Sequence, residues 1–179
     1  MKKRRSATVK LVYAAVCLAL ALVLPFLTGQ IPQIGNMLCP MHFPVFICGF
    51  LCGWPWGAVV GLCAPLLRSA IFSMPPMFPT AVSMAFELAV YGLVAGLLYQ
   101  KLPRKASCVY LSLIGAMVAG RLVWGAVRFV LAGLTDSTFP FSAFLSGALT
   151  TAIPGIVLQI LLIPPIILAV DRERKKITP

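Results

Sequence analysis

The sequence predicts an all-α membrane protein of six transmembrane helices with both termini in the cytoplasm. Three observations predict it. Hydrophobic residues make up 60% of the chain and charged ones only 11%, where a soluble domain sits nearer half and a quarter. The mean hydropathy is +0.99. Twelve of the fifteen Lys and Arg gather in three clusters, Lys2 to Lys10, Lys101 to Lys105 and Arg172 to Lys176. Each cluster flanks an apolar run, as cytoplasmic loops and tails do. With 179 residues there is no room for a large soluble domain, so a single membrane domain over 1–179 is expected. The net charge of +11 reads as a topology signal and not as a nucleic-acid surface, and a secondary attraction to anionic membrane lipid fits it.

A span needs about 20 apolar residues. The first runs from about Val9 to Leu27, held at its start by Lys2 to Arg5. It has the look of a signal peptide, but no small-residue cleavage site follows Ala21 and the run is long, so a retained span is expected. Thr28 to Pro44 follows on the outside, broken by Pro32, Pro40 and Pro44 and read as non-helical. Val45 to Gly53 is a short apolar piece that crosses comfortably only if it begins inside the preceding segment. Trp54-Pro55-Trp56 reads as a tight cytoplasmic turn, with Pro55 breaking the helix and two Trp at headgroup level.

The third span is Gly57 to Phe72, closed by a proline-rich break from Ser73 to Pro79. The fourth runs from about Thr80 to Tyr99 and ends at Lys101, Pro103, Arg104 and Lys105. The fifth covers about Ser107 to Leu131, followed by an outer loop containing Asp136. The sixth is read from Phe141 to Val170, kinked at Pro154, Pro164 and Pro165, with Asp171 to Lys176 as a cytoplasmic tail. Glycines recur at four-residue spacing, Gly49 to Gly61 and Gly92 with Gly96, which lets membrane helices approach closely. Pro55 interrupts the first series, so one continuous face is not expected.

Two groups of residues point to chemistry. The Thr28 to Pro44 stretch concentrates Gln30, Gln33, Asn36 and His42, the only histidine. Irregular polar backbone beside a bilayer is tolerated where protein buries it or a watery cavity solvates it. It is therefore read as lining or lidding a binding cavity, with an ordinary outer loop as the alternative. The second group is ionisable and sits inside the spans: Arg68, Glu87, Arg121 and Arg128. Charges at that depth cost a few kcal/mol and normally face the interior. Glu87 and Arg121 are placed to pair, as a structural salt bridge or as part of a site. Arg68 and Arg128 then lack a carboxylate at their depth and invite an anion, whose carboxylate an Arg fork matches; snorkelling to the headgroups is the alternative. Tyr91 and Trp124 lie near these charges, to stack on a ligand or simply to pack, and Gln159 is polar within the last span. On the first span Ala15 and Ala19 make a small-xxx-small pair suited to docking another membrane helix.

Other classes lose ground on residue supply. The six cysteines form no CxxC pair and have one histidine beside them, so no metal site is expected. No GxxxxGK[ST] is present, which excludes P-loop binding of ATP. Neither HExxH nor a Ser-His-Asp set can be assembled, so neither a catalytic site nor a cofactor is expected.

The block IPQIGNMLCPMHFPVFICGFLCGWPWGAVVGLCAPLLRSAIFSMPPMFPTAVSMAFELAVYGL, Ile31 to Leu93, resembles the substrate-binding S components of energy-coupling factor (ECF) vitamin transporters. The likeness extends to six short spans, cytoplasmic ends and an alanine motif in the first helix. Among these proteins it is most similar to the pantothenate type. The resemblance implies a non-enzymatic subunit of the prokaryotic plasma membrane that captures a vitamin from outside. It then docks on a transmembrane scaffold subunit coupled to two ATPase subunits, which supply the missing ATP chemistry. It implies scaffold contact at Ala15 and Ala19 and a loop from Gln33 to His42 that closes over the ligand. Pantothenate carries a carboxylate, hydroxyls and an amide, which suit Arg68 and Arg128 on one hand and Gln33, Asn36 and His42 on the other. Riboflavin, a pyrimidine or pyridoxine precursor, or another cofactor fragment is the alternative ligand. A structural membrane protein without a ligand is the alternative of another class. Cys39 and Phe43 stand where the family leads one to expect aliphatic residues.

Overall fold

A computed structural model describes residues 7–28, 37–103, 105–135, 140–147 and 152–177. Among them every regular element is a helix. In chain order these are α1 (Ala7–Val23), α2 (His42–Cys52), α3 (Trp54–Phe72), α4 (Val82–Lys101), α5 (Ala106–Leu134), α6 (Phe141–Leu145) and α7 (Ile153–Ile177). Five stretches are long and apolar enough to cross a membrane: Ala7–Leu27, Trp54–Phe72, Met77–Lys101, Ala106–Leu134 and Ile153–Glu173. The sixth expected crossing is α2, whose 11 residues reach only about 16 Å against a hydrocarbon core of about 30 Å. The exposed side chains of α5 include Leu111, Ile114, Val118 and Leu122, an apolar stripe suited to lipid.

Helix α4 is the centre of the bundle. It packs on α2, α3 and α5, while α1 closes against α2 and α3. What allows this is glycine. A Cβ on Gly49 or Gly57 would come within 2.7 or 2.8 Å of the Gly92 carbonyl oxygen. Gly61 lies on the Leu88 carbonyl, and Gly96 lies against the backbone of Trp54. The two glycine series thus meet each other, with α2 and α3 both pressed to α4. As expected, the first series is not one continuous helix face, since the chain breaks at Gly53 between α2 and α3; the hairpin nevertheless brings Gly49 and Gly57 together on Gly92.

Proline sets several boundaries. Pro25 falls where α1 gives way to the 3-10 turn Leu24–Thr28, because it lacks the N–H that would continue the α-helical hydrogen bonds. The reading of Thr28 to Pro44 as wholly non-helical is corrected at both ends: Thr28 closes that turn, and α2 already begins at His42. Pro44 is the third residue of α2, where the N–H has no helical partner to lose. The His42 N–H donates to the Cys39 carbonyl at 3.0 Å, closing the turn into the helix. Gly53 alone joins α2 to α3, with φ +98° that favours glycine. Pro55 starts α3 in its first turn and so does not break a helix.

The last expected span is also corrected. Phe141 to Val170 is not one helix: α6 ends at Leu145 and α7 begins at Ile153. Nor is Asp171 in a solvated tail, since α7 continues past it. Asp171 is buried and accepts a hydrogen bond from the Tyr99 hydroxyl of α4.

Candidate functional site

The charges within the spans sort into three places, each built by a different set of elements. The deepest centres on Glu87. One turn of α4 separates Glu87 from Tyr91, so both share a face, and the Tyr91 hydroxyl donates to Glu87 Oε1 at 2.7 Å. From α5, Arg121 Nη1 reaches the same oxygen at 3.0 Å. From the first residue of α2, His42 Nε2 stands 3.8 Å from it. Glu87 is 1% exposed, Tyr91 1% and His42 3%. A carboxylate so buried is tolerable because a guanidinium and a hydroxyl face it.

The surroundings explain how the group is held. Phe46, one turn beyond His42, stacks on Tyr91 with centroids 4.8 Å apart, and the His42 and Tyr91 rings lie 5.3 Å apart. Gly120 leaves room for the Tyr91 ring against α5, where any Cβ would collide with it. Arg121 Nη2 also faces the Cys39 sulfur at 3.9 Å. Three buried nitrogens in this group have no hydrogen-bond partner among the described residues: His42 Nδ1, His42 Nε2 and Arg121 Nε. Buried polar atoms are nearly always partnered, so three at one spot leave hydrogen-bonding capacity unused.

The second place is on the same face of α5. Arg121, Trp124 and Arg128 follow at three and seven residues, and Arg128 lies about 10 Å along the axis from Arg121. The Arg128 guanidinium sits 5.8 Å from the Trp124 ring. Trp124 in turn stacks on Phe144 of α6 at 6.1 Å. Gly125 and Gly147 make room for Phe144 and Trp124 respectively.

The third place is Arg68, and it is separate from the other two. Its guanidinium donates to the Leu22 carbonyl, one residue from the end of α1. Phe26 and Phe72 flank it at 4.9 and 5.3 Å. A cation there complements the α1 dipole and satisfies a terminal carbonyl. The expectation that Arg68 lacks a partner is thereby corrected. Arg68→Met should therefore lower stability by about 1.5 to 3 kcal/mol, the range for a hydrogen bond to a charged group. It should not change ligand preference. Thermal melting in detergent beside ligand binding checks this; a selective loss of anion binding at unchanged melting temperature would overturn it.

Of the sequence-predicted residues, His42, Glu87, Tyr91 and Arg121 come together, with Trp124 and Arg128 further along α5. Gln30, Gln33 and Asn36 lie outside the described residues, as does Asp136. Gln159 is buried. Ala15 and Ala19 are exposed on α1, whereas Ala14, Cys17 and Ala21 face the bundle. Sequence reasoning missed Cys39, Phe46 and Gly120. Each reads as ordinary apolar packing, and only the fold shows what it packs against.

A model of the family described as "ECF transporter, substrate-specific component" matches residues 9–167. No curated protein and no solved structure matches the chain.

Proposed function

The chain belongs to the family of ECF transporter substrate-specific components, and from that premise we propose that it captures pantothenate or a similar small anionic vitamin from the medium. It passes the vitamin inward by docking on an ECF module of one membrane scaffold subunit and two ATPase subunits. The family itself implies a small-molecule substrate and an ECF-module partner; the vitamin and the subunit makeup are this proposal's own. The chain acts as one unit over 1–179, with six crossings and both ends in the cytoplasm of a prokaryotic cell.

One observation carries the reading of the site: the buried Glu87–Arg121–His42–Tyr91 group with three unpartnered nitrogens. A closed structural pair has no use for them, whereas a ligand with hydroxyl and amide groups does. Arg128, further along the same face, takes the anionic end, and Trp124 offers a ring beside it. Gln33 and Asn36, which lie outside the described residues, remain the sequence's candidates for further hydrogen bonds to the ligand. The exposed Ala15 and Ala19 supply the docking face of α1, because small side chains let a partner helix approach.

The test is mass spectrometry of small molecules released from the purified protein, followed by equilibrium binding of a vitamin panel. Pantothenate is expected to be released and to bind saturably. Saturation by riboflavin or a pyridoxine precursor alone would replace the vitamin while leaving the family role. No saturable binding by any of them would favour a structural protein.

A further inference from the structure

We infer that the Glu87-centred group reads an uncharged hydroxyl or amide of the ligand and does not read its carboxylate. The inference rests on the proposed vitamin capture and says which end of the molecule goes deepest.

The argument begins with charge. Arg121 is matched by Glu87 at 3.0 Å before any ligand arrives. Of the two guanidiniums that the sequence offered for an anion, Arg68 is held at the Leu22 carbonyl between two phenylalanines, and Arg128 lies about two turns further along α5. A ligand carboxylate entering here would share one buried guanidinium with Glu87. Two carboxylates on one cation in a low-dielectric site repel, and one is driven to take up a proton.

Hydrogen bonding points the same way. An imidazole offers a donor on one nitrogen and an acceptor on the other. Neither His42 nitrogen has a hydrogen-bond partner among the described residues, Nε2 standing 3.8 Å from Glu87 Oε1, and the buried Arg121 Nε donor has none either. Donors and an acceptor around one spot match a group that itself accepts and donates. A hydroxyl does both through one oxygen, and an amide does so through adjacent atoms. A carboxylate only accepts and would leave the imidazole acceptor unsatisfied.

The test uses the full-length protein in detergent with two probes, pantothenate and panthenol. They share the hydroxy amide, and panthenol has an alcohol where pantothenate has the carboxylate. The two are expected to bind within about tenfold of each other, the difference being what a partly exposed charge contact contributes. His42→Ala should weaken both by about a hundredfold and leave their ratio unchanged. His42→Gln, which keeps one donor and one acceptor, should restore most of that loss. Thermal melting of each variant separates binding loss from misfolding, and the wild-type ratio stands even if His42→Ala does not fold. Panthenol binding more than a hundredfold weaker than pantothenate would overturn the inference while leaving vitamin capture intact. If neither probe binds but another vitamin does, the vitamin assignment falls and the inference falls with it.

Discussion

Glu87→Ala is expected to destabilise the protein by about 3 to 5 kcal/mol, the cost of breaking a buried ion pair from one side. That is a large part of the 5 to 15 kcal/mol by which folded proteins ordinarily exceed their unfolded states. The substitution does two things. It leaves the largely buried Arg121 guanidinium facing the Cys39 sulfur without its carboxylate, and it takes the acceptor from the buried Tyr91 hydroxyl. Arg121→Met alone strands the carboxylate and should cost a similar amount. Glu87→Gln keeps an acceptor for Tyr91 and should fall between wild type and Glu87→Ala. The pair Glu87→Ala with Arg121→Met removes both charges and should lose less than the sum of the single losses by at least about 2 kcal/mol. Denaturation in detergent followed by helix signal, run as a double-mutant cycle, measures this coupling. Additive losses would mean that the two side chains do not share a charge balance, and the account of the site would fail with them.

This pair was legible in the sequence, because a lone acid and a lone base at similar depth in adjacent spans have few other partners. The spans of α1, α3, α4 and α5 were legible for an equally simple reason: hydropathy and flanking charge report membrane depth directly. What escaped has a common cause. Arg68 looked unpaired because side chains were matched only with side chains, whereas its partner is the Leu22 carbonyl at the end of another helix. Asp171 looked like tail because cations surround it, whereas α7 carries it back against Tyr99. His42 looked like loop because Pro44 follows it, although proline in a first turn forbids nothing. In each case the deciding group was a backbone atom, a helix end or a residue distant in the chain. The two His42 nitrogens without a hydrogen-bond partner were likewise out of reach, since burial without a partner is a property of the packed molecule and not of a residue type.

Gly92→Leu is expected to prevent the bundle from closing. A Cβ at this position would overlap the Gly57 carbonyl carbon and oxygen, and backbone cannot rotate away as a side chain can. To admit even the first carbon, α4 must move off α3. It then also leaves the contact of Gly61 with Leu88 and that of Gly96 with Trp54, because the three sit on one line of approach. Overpacking a well-filled core costs about 1 to 3 kcal/mol; here the strain falls on backbone along a whole helix, and a loss of about 3 kcal/mol or more is expected. Gly92→Ala should fall at the lower end of that range. Gly133→Leu serves as the control, since nothing lies within 4 Å of its position, and it should melt with the wild type. The site is affected through the same contact: Glu87 and Tyr91 ride on α4, so displacing that helix carries them away from His42 on α2 while α5 keeps Arg121. Gly92→Leu should therefore lose ligand binding even in whatever fraction remains folded. A variant that melts like wild type, or that binds normally at reduced stability, would show that the glycine contacts do not set the position of α4.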